Sequence, residues 1–351
     1  MSVFAPAPAR VQSATGAPPD ELRTGAPRPH SPPPVRTIQD WNLRAPVRAD
    51  AAEITKLIQA ANLRVSGEPD FDANDLEAEW GLDGFELERH ALVAVRNGAI
   101  AAYGNYRARR AHEDYDADFS VHPDHDDPAL SRSVLAELER RVRAEMAAAP
   151  PGASALLHAH ADEVEKAKLD LYAAAGYETC RFFFRMGLDL EAPPARLTPA
   201  PDGVEIRPCR RGLDEGRVYE VLRDAFQGHY RFTPLERDDW IRRHAGYDFY
   251  VPDLWQLAWR GDEVVGASCN LLYEDSGWVD ELGVRGDFRG RKLGRALLDA
   301  SFAAFWKHGQ PRVRLGVDAE NATGATRLYE NAGMTVLRKY MLCRKEIAAE
   351  R

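Results

Sequence analysis

With 351 residues, the chain is long enough for two or more domains that each bury a core, and its formal net charge of −9 argues against a general nucleic-acid binder. Its four cysteines lie far apart without CxxC or metal-ligand spacing, which favours a reducing, cytoplasmic compartment and predicts no metal site. No apolar run approaches the roughly 18 residues needed to cross a bilayer, and the N-terminus lacks the apolar core of a signal peptide, so we expect no membrane partner.

Residues 1 to about 43 are rich in Pro, Ala, Arg and Ser, and Pro32, Pro33 and Pro34 are consecutive. Such a segment carries too little apolar surface to offset the entropy that is lost on ordering. The composition predicts a disordered extension over residues 1–43.

Short strands and helices alternate over residues 44–190. Asp50 can cap a helix whose apolar residues recur at helical spacing. The Asn97-Gly98 pair predicts a tight hairpin between two strands. In chain order, the predicted elements are a strand at Val47-Arg48, the helix after Asp50, strands at Ala91–Arg96, Ala99–Arg107 and Asp116–Val121, a helix through Leu130 and Val142, a strand at Ala155–His160, a helix ending in LYAAAG, and a strand at Arg181–Leu188.

Proline and alanine return at residues 191–203, which predicts a linker, and the same order of elements follows over residues 204–351. In chain order, these predicted elements are a strand at Val204–Pro208, a helix through Val218 and Phe226, a helical segment near Leu235–His244, strands at Leu254–Trp259, Val264–Leu272 and from Trp278, a helix from Leu293, a strand at Arg312–Val317, a helix ending in LYENAG, and a strand at Thr335–Lys345.

Short sequence matches link the two halves at a spacing of roughly 160 residues. The matching segments are Val47-Arg48 with Ile206-Arg207, Phe119-Ser120-Val121 with Leu282-Gly283-Val284, and Leu171-Tyr172 with Leu328-Tyr329. Such regular spacing predicts an internal duplication. The predicted fold class is α/β, with an α+β mixed sheet in each of two tandem units.

The stretch Trp278–Leu298 carries the strongest functional signal. A strand runs into a loop with glycines, and an apolar-faced helix follows. The unpaired backbone N–H groups in the first turn of a helix bind anions. Basic residues crowd this part of an otherwise acidic chain, and they are Arg285, Arg289, Arg291, Lys292 and Arg295. The pattern predicts a multiply charged phosphate ligand.

The aligned loop of the first half has the opposite character. It reads Asp126-Asp127-Pro128-Ala129-Leu130-Ser131, where the second half has Arg289-Gly290-Arg291-Lys292-Leu293-Gly294. Carboxylates repel phosphate, and Pro128 removes one backbone donor. We therefore expect the N-terminal copy to be degenerate, without the anion site.

Two motifs of the second half resemble the signatures of the GNAT N-acetyltransferase superfamily. LGVRGDFRGRKLGRALL resembles its acyl-CoA motif, Arg/Gln-x-x-Gly-x-Gly/Ala, in which Arg289 and Gly294 match the first and last positions and Lys292 replaces the inner glycine. LGVDAENATGATRLYENAGM resembles its second signature, where Asn321 and Tyr329 match residues beside the cofactor arm and the thioester sulfur. The tandem layout with a degenerate first copy is similar to the mycothiol synthase type.

The resemblance implies acetyl-CoA as the cosubstrate and residues 204–351 as the catalytic domain, after a degenerate domain over 44–190. The residues that it implies for cofactor binding are Leu282, Gly283, Val284, Arg289, Gly290, Arg291, Lys292, Leu293, Gly294, Arg295, Ala296 and Asn321.

Acyl transfer from a thioester to an amine needs a neutral amine, a polarised carbonyl and an acid for the departing thiolate. The resemblance implies that the carbonyl meets a backbone N–H near Gly283–Val284, where two strands separate, and that Tyr329 is the acid.

For the base, the sequence offers two neighbouring carboxylates, Glu281 and Asp280. Strand alternation puts them on opposite faces, with Glu281 on the face of Val279 and Gly283. We expect Glu281 to act as the base, directly or through water.

The acceptor stays open between a small-molecule and a peptide amine, and the assembly between a monomer and a homodimer. An alternative function is a non-catalytic acyl-CoA-binding sensor or scaffold, which would keep the basic loop without needing Tyr329. A different phosphate-ligand enzyme is disfavoured, because no GxxxxGK[ST] or GxGxxG motif occurs.

Overall fold

The computed structural model describes residues 36–38, 40–246, 250–321 and 323–348. Most of the predicted disordered extension lies outside the described residues. Within them, no helix has the length and apolar character to cross a membrane.

Helices and strands alternate along the chain, as the sequence predicts. Those of the first half are β1 (Arg36–Ile38), β2 (Trp41–Arg44), α1 (Ala51–Ser66), α2 (Ala73–Trp80), α3 (Leu87–His90), β3 (Ala91–Arg96), β4 (Ala99–Arg110), β5 (Asp114–Val121), α4 (Pro128–Met146), β6 (Ser154–Asp162), α5 (Lys166–Ala174) and β7 (Glu178–Asp189). Those of the second half are β8 (Glu205–Pro208), α6 (Glu215–Phe226), α7 (Arg237–Ala245), β9 (Gln256–Arg260), β10 (Glu263–Leu272), β11 (Gly277–Val284), α8 (Leu293–Lys307), β12 (Arg312–Asp318), α9 (Ala325–Asn331) and β13 (Thr335–Ala348).

The described chain forms two compact units. Among the described residues, the C-terminal unit spans Arg181–Tyr340, and the N-terminal unit combines those up to Cys180 with residues 341–348. Each unit is a mixed sheet with helices against it, which confirms the predicted fold class. The units group the last strand of each half differently from the predicted ranges 44–190 and 204–351, and those boundaries stay a prediction.

In the N-terminal unit, the strands lie in the order β1-β2-β3-β4-β5-β6, with β13 next to β6. β5 and β6 are parallel, and the pairs from β1 to β5 are antiparallel. The Asn97-Gly98 hairpin is confirmed, since both residues have the positive φ that such a turn requires, 54° and 85°.

The predicted strand at Val47-Arg48 is wrong. Arg48 begins a short 3-10 helix, and Val47 is 55% exposed. The edge strand of this sheet is β2, whose Trp41 and Leu43 alternate with polar residues and are buried in the core. The counterpart of β8 in the first half is therefore β2, and ordered structure begins upstream of Leu43.

In the C-terminal unit, the strands lie in the order β7-β12-β11-β10-β9-β8. β11 and β12 are parallel, and the other pairs are antiparallel. α6 lies so close to β11 that a Cβ added to Gly283 would be 2.8 Å from Leu222. α8 covers the opposite face, where a Cβ added to Gly266 would be 3.0 Å from Leu297.

Candidate functional site

β11 and β12 pair at one end and separate at the other. Their register covers Gly277–Val279 on β11 and Val313–Leu315 on β12. β11 continues to Val284, and β12 continues to Asp318 against its other neighbour, β7. A gap therefore opens between two parallel strands from Asp280 onward, and the backbone groups that face it can bind an extended ligand.

A β-bulge marks the start of this gap. Cys269 of β10 is opposite Glu281, but the next residue, Asn270, is opposite Val279, so Asp280 is an extra residue in β11. The bulge breaks the strand alternation on which the sequence analysis relied, and the expected placement of Asp280 and Glu281 on opposite faces is wrong.

The bulge also separates Glu281 from Val279. Val279 belongs to the apolar cluster that includes Phe302 and Phe305 of α8. Glu281 instead shares the opposite face with its cross-strand partner Cys269. Both carboxylates act on that thiol, because burial and then the charges of Glu281 and Asp280 raise the pKa of Cys269 well above its ordinary value.

Asp280 lies among charged groups from two elements. Burial and then the negative charge of Glu281 raise the pKa of Asp280, whereas His244 and Arg243 of α7 act in the opposite direction. The Nε2 atom of His244 is 3.9 Å from a carboxylate oxygen of Asp280. No motif or spacing in the sequence links His244 to a carboxylate so far along the chain, so this proximity is visible only in three dimensions.

The helix that follows β11 begins without a side-chain cap. Gly290 and Lys292 both have positive φ, 74° and 65°, and no side chain accepts a hydrogen bond at the start of α8. The first N–H of this region with a partner inside the helix is that of Ala296, which donates to Lys292 O at 3.0 Å. Among the described residues, the preceding N–H groups stay available for an anion.

Three of the basic side chains of this loop are held by protein acceptors. Arg285 pairs with Glu263 and Asp287. Arg289 donates to the backbone oxygens of Val284 and Ala225, and Arg295 to Asp299 and Asn331. These contacts fix the loop against β11, α6 and α9.

The remaining two basic side chains, Arg291 and Lys292, are exposed. The guanidinium of Arg291 lies over the Phe288 ring, 5.4 Å from its centroid. These two residues are therefore the ones whose charge can meet an anion at the start of α8.

Four other residues predicted to bind the cofactor, Leu293, Gly294, Ala296 and Asn321, lie close to other protein groups. Leu293 and Ala296 are buried, and a Cβ added to Gly294 would lie 3.4 Å from Leu328 of α9. Asn321 follows β12, and its side-chain oxygen accepts from the backbone N–H and the hydroxyl of Thr323 at 2.8 and 2.7 Å.

Tyr329 lies on α9 and is 8% exposed. It belongs to the same apolar cluster as Val317 and Met334. Burial raises the pKa of Tyr329 to about 12, so the phenol keeps its proton at neutral pH. Within the described residues, its hydroxyl has no hydrogen-bond partner.

Comparison with known proteins agrees with this geometry. The model of the acetyltransferase (GNAT) family matches residues 216–334. A mycothiol acetyltransferase of Geodermatophilus obscurus is 29% identical over 296 residues, which make up 82% of this chain and 91% of the relative. A GCN5-related N-acetyltransferase from Sphaerobacter thermophilus, solved by crystallography, has 31% identity and a TM-score of 0.76, covering 90% of this chain and 98% of that chain.

A tandem arrangement also occurs in a solved relative. The tandem GNAT protein from the clavulanic acid biosynthesis pathway has a TM-score of 0.68 with 13% identity, and the match covers 89% of this chain and 99% of that chain. At this identity the likeness shows the fold alone. Given the match to the Sphaerobacter enzyme along nearly its whole length, the chain belongs to the GCN5-related N-acetyltransferase (GNAT) family and is an N-acetyltransferase with two GNAT-like units.

Proposed function

We propose that this N-acetyltransferase binds acetyl-CoA in the gap between β11 and β12 and transfers the acetyl group to the amine of a small molecule. The main support is that, within one unit, the strand that borders the gap leads directly to a helix start without a side-chain cap. A thioester arm laid in the gap would direct its pyrophosphate to the start of α8.

The pyrophosphate would be held by the backbone at the start of α8, where the helix dipole favours negative charge. Arg291 and Lys292 would add positive charge from outside the helix, whereas Arg289 would hold the loop in shape. The full proposed cofactor set is Leu282, Gly283, Val284, Arg289, Gly290, Arg291, Lys292, Leu293, Gly294, Arg295, Ala296 and Asn321.

The chemistry needs three groups at the gap. A backbone N–H near Gly283–Val284 would polarise the thioester carbonyl. Glu281, which is 6% exposed and lies at the start of the gap, would take a proton from the acceptor amine. Tyr329 would protonate the sulfur that leaves, and its raised pKa supports this role because the neutral phenol is the form present at neutral pH.

The relatives support a small-molecule acceptor over a peptide, since curated relatives carry the name mycothiol acetyltransferase. The buried Glu281 and the half-buried Asp280 at the start of the gap favour an acceptor that arrives as an ammonium ion. No disulfide joins the four cysteines, all of which are described, and this supports the predicted cytoplasmic location. The choice between a monomer and a homodimer stays a prediction.

The test is a panel of small amines with acetyl-CoA, in which thiol release is followed and the acetylated product is identified by mass. We expect at least one cationic small-molecule amine to be acetylated with an equal amount of free CoA. Tight acetyl-CoA binding without turnover on any amine would contradict the proposal and favour the sensor alternative. Turnover on peptides alone would contradict the small-molecule acceptor.

A further inference from the structure

His244 is fixed in one orientation beside Asp280. Its Nδ1 lies 2.8 Å from the carbonyl oxygen of Trp240, and because a carbonyl only accepts, Nδ1 carries the hydrogen. The imidazole stacks on the Trp240 ring with 4.3 Å between the centroids and is 8% exposed. These contacts leave Nε2 directed at the Asp280 carboxylate, 3.9 Å away.

We propose that His244 is a positioning residue that acts through Asp280. The carboxylates of Asp280 and Glu281 then accept the proton that the acceptor ammonium loses. This inference rests on the proposed function. The bulge at Asp280 carries it, because a regular strand would direct Asp280 away from Glu281 and from α7.

The proton balance of the reaction agrees with such a pair. An ammonium that becomes an amide loses two protons. The first passes to the carboxylates of Glu281 and Asp280, and from there to solvent. The second passes from the nitrogen to Glu281 as the C–N bond forms and the C–S bond breaks. Tyr329 gives its proton to the CoA sulfur and is reprotonated from solvent, so one proton is released in total.

The charges around Asp280 set the sign of the expected effect. Glu281, beside it on β11, opposes its ionisation. His244 and Arg243 on α7 favour its ionisation, and Cys269 faces it from β10 with the thiol protonated. Removal of His244 therefore makes Asp280 harder to ionise, so a higher pH is needed before the carboxylate pair can accept a proton.

The variant that tests this is His244→Asn in the full chain. An asparagine keeps a donor for the Trp240 carbonyl but has no group in place of Nε2. The acidic limb of the kcat/KM–pH profile should move up by roughly one pH unit or more, because charges about 4 Å apart interact by about 1 kcal/mol in bulk water and more strongly when they are buried. The KM for acetyl-CoA should stay unchanged, and the exposed His308→Asn should leave the whole profile unchanged.

A uniform loss of kcat with an unchanged pH profile would overturn the proposal, because it is the result expected of a purely structural histidine. If His244→Asn does not fold, His244→Gln serves in its place, since it fills more of the imidazole volume and also removes the ring that faces Asp280.

A second measurement is independent of activity and so separates this inference from the proposed function. The carboxyl carbon of Asp280 is followed by NMR as a function of pH, and its signal is assigned with Asp280→Asn. We expect a higher titration midpoint in the His244 variant than in the wild type, even if no amine in the panel is acetylated. An unchanged midpoint would overturn the inference whether or not the enzyme turns over.

Discussion

The equivalent helices of the two units, α4 and α8, begin in different ways. α4 of the N-terminal unit starts with Pro128, and the Asp127 side chain accepts a hydrogen bond from the Ala129 N–H at 2.8 Å. α8 of the C-terminal unit starts after Lys292 in a left-handed conformation, with no side-chain cap. The first helix start is satisfied by its own carboxylate, whereas the second leaves its N–H groups for a ligand.

The gap between the two parallel strands also differs between the units. β5 and β6 also stop pairing, after Ala117 and Ala159. There, however, the ammonium of Lys168 donates to the Phe119 backbone oxygen at 2.9 Å and to Asp118 at 3.1 Å. A lysine of the N-terminal unit thus occupies the backbone that a ligand would need.

The residue that aligns with Lys168 in the C-terminal unit is Ala325, since both precede the matching tyrosines by one helical turn. An alanine leaves the corresponding backbone uncovered. The N-terminal unit also lacks a bulge at the position that matches Asp280. There, Tyr106 and Asn105 pair with Ala117 and Asp118 in regular order.

The matching tyrosines complete the comparison. The Tyr172 hydroxyl donates to the His160 carbonyl at 3.3 Å, whereas Tyr329 has no such partner within the described residues. The same scaffold therefore appears once with these polar groups satisfied internally and once, among the described residues, without the matching partners.

The largest expected effect separates the two tyrosines. Tyr329→Phe removes the proposed acid but keeps the ring, so kcat should fall by roughly 10²–10⁴-fold while acetyl-CoA affinity stays within a few-fold. Tyr172→Phe is the matched control and should leave kcat unchanged. Steady-state kinetics on the best amine checks both variants, and equal effects of the two would break the comparison.

A smaller effect is expected at the helix starts. Reversing the charge of Arg291 and Lys292 with glutamate should weaken acetyl-CoA binding more than tenfold, about 1.4 kcal/mol, because both exposed cations adjoin the proposed pyrophosphate site. The control is Arg132→Glu, an exposed arginine in the first turn of α4. Calorimetric titration measures each, and an unchanged affinity in the double variant would remove the loop from the site.

The smallest expected effect concerns the lysine in the N-terminal gap. Lys168→Met should lower the free energy of unfolding by about 1–2 kcal/mol, less than the roughly 3–5 kcal/mol for a fully buried pair, because the Asp118 side chain is 39% exposed. Urea unfolding measures the difference. Lys166→Met, at an exposed position on the same helix, is the control and should change stability little.

The difference in unfolding free energy between the wild type and Lys168→Met should depend on pH. Burial opposes the ionisation of Asp118, but Lys168 and His160 outweigh it and lower the pKa of Asp118 below its ordinary value. A lowered folded pKa contributes stability that is present above the ordinary carboxyl pKa and is lost as pH falls through the lowered value. The difference in unfolding free energy between the wild type and Lys168→Met should therefore be largest near pH 7 and decrease below about pH 4. A difference that stays constant down to pH 3 would show that the ion pair contributes nothing.

Much of the scaffold could be predicted from local patterns. The Asn97-Gly98 turn, the apolar face of α4 and the glycine-containing basic loop are each encoded within a few neighbouring residues, and the structure has all three. The predicted strand at Val47-Arg48 is wrong because Trp41 and Leu43, six and four residues before Val47, occupy the core instead.

The residues around the chemistry could not be predicted in the same way. The bulge at Asp280 depends on the register between β10 and β11, which strand alternation alone does not contain. The contact of His244 with Asp280 and that of Lys168 with Asp118 join residues far apart in the chain. Such contacts follow from the packing of whole elements, so they become visible only in three dimensions.

We propose that acetyl-CoA binds to the C-terminal unit and not to the N-terminal unit. Calorimetric titration of the full-length chain with acetyl-CoA tests it most directly, because the number of sites is read from the titration itself. We predict a stoichiometry near one, reduced in affinity by the Arg291 and Lys292 charge reversals and unaffected by Arg132→Glu. A stoichiometry near two, or a single site that is weakened by Arg132→Glu, would contradict the claim.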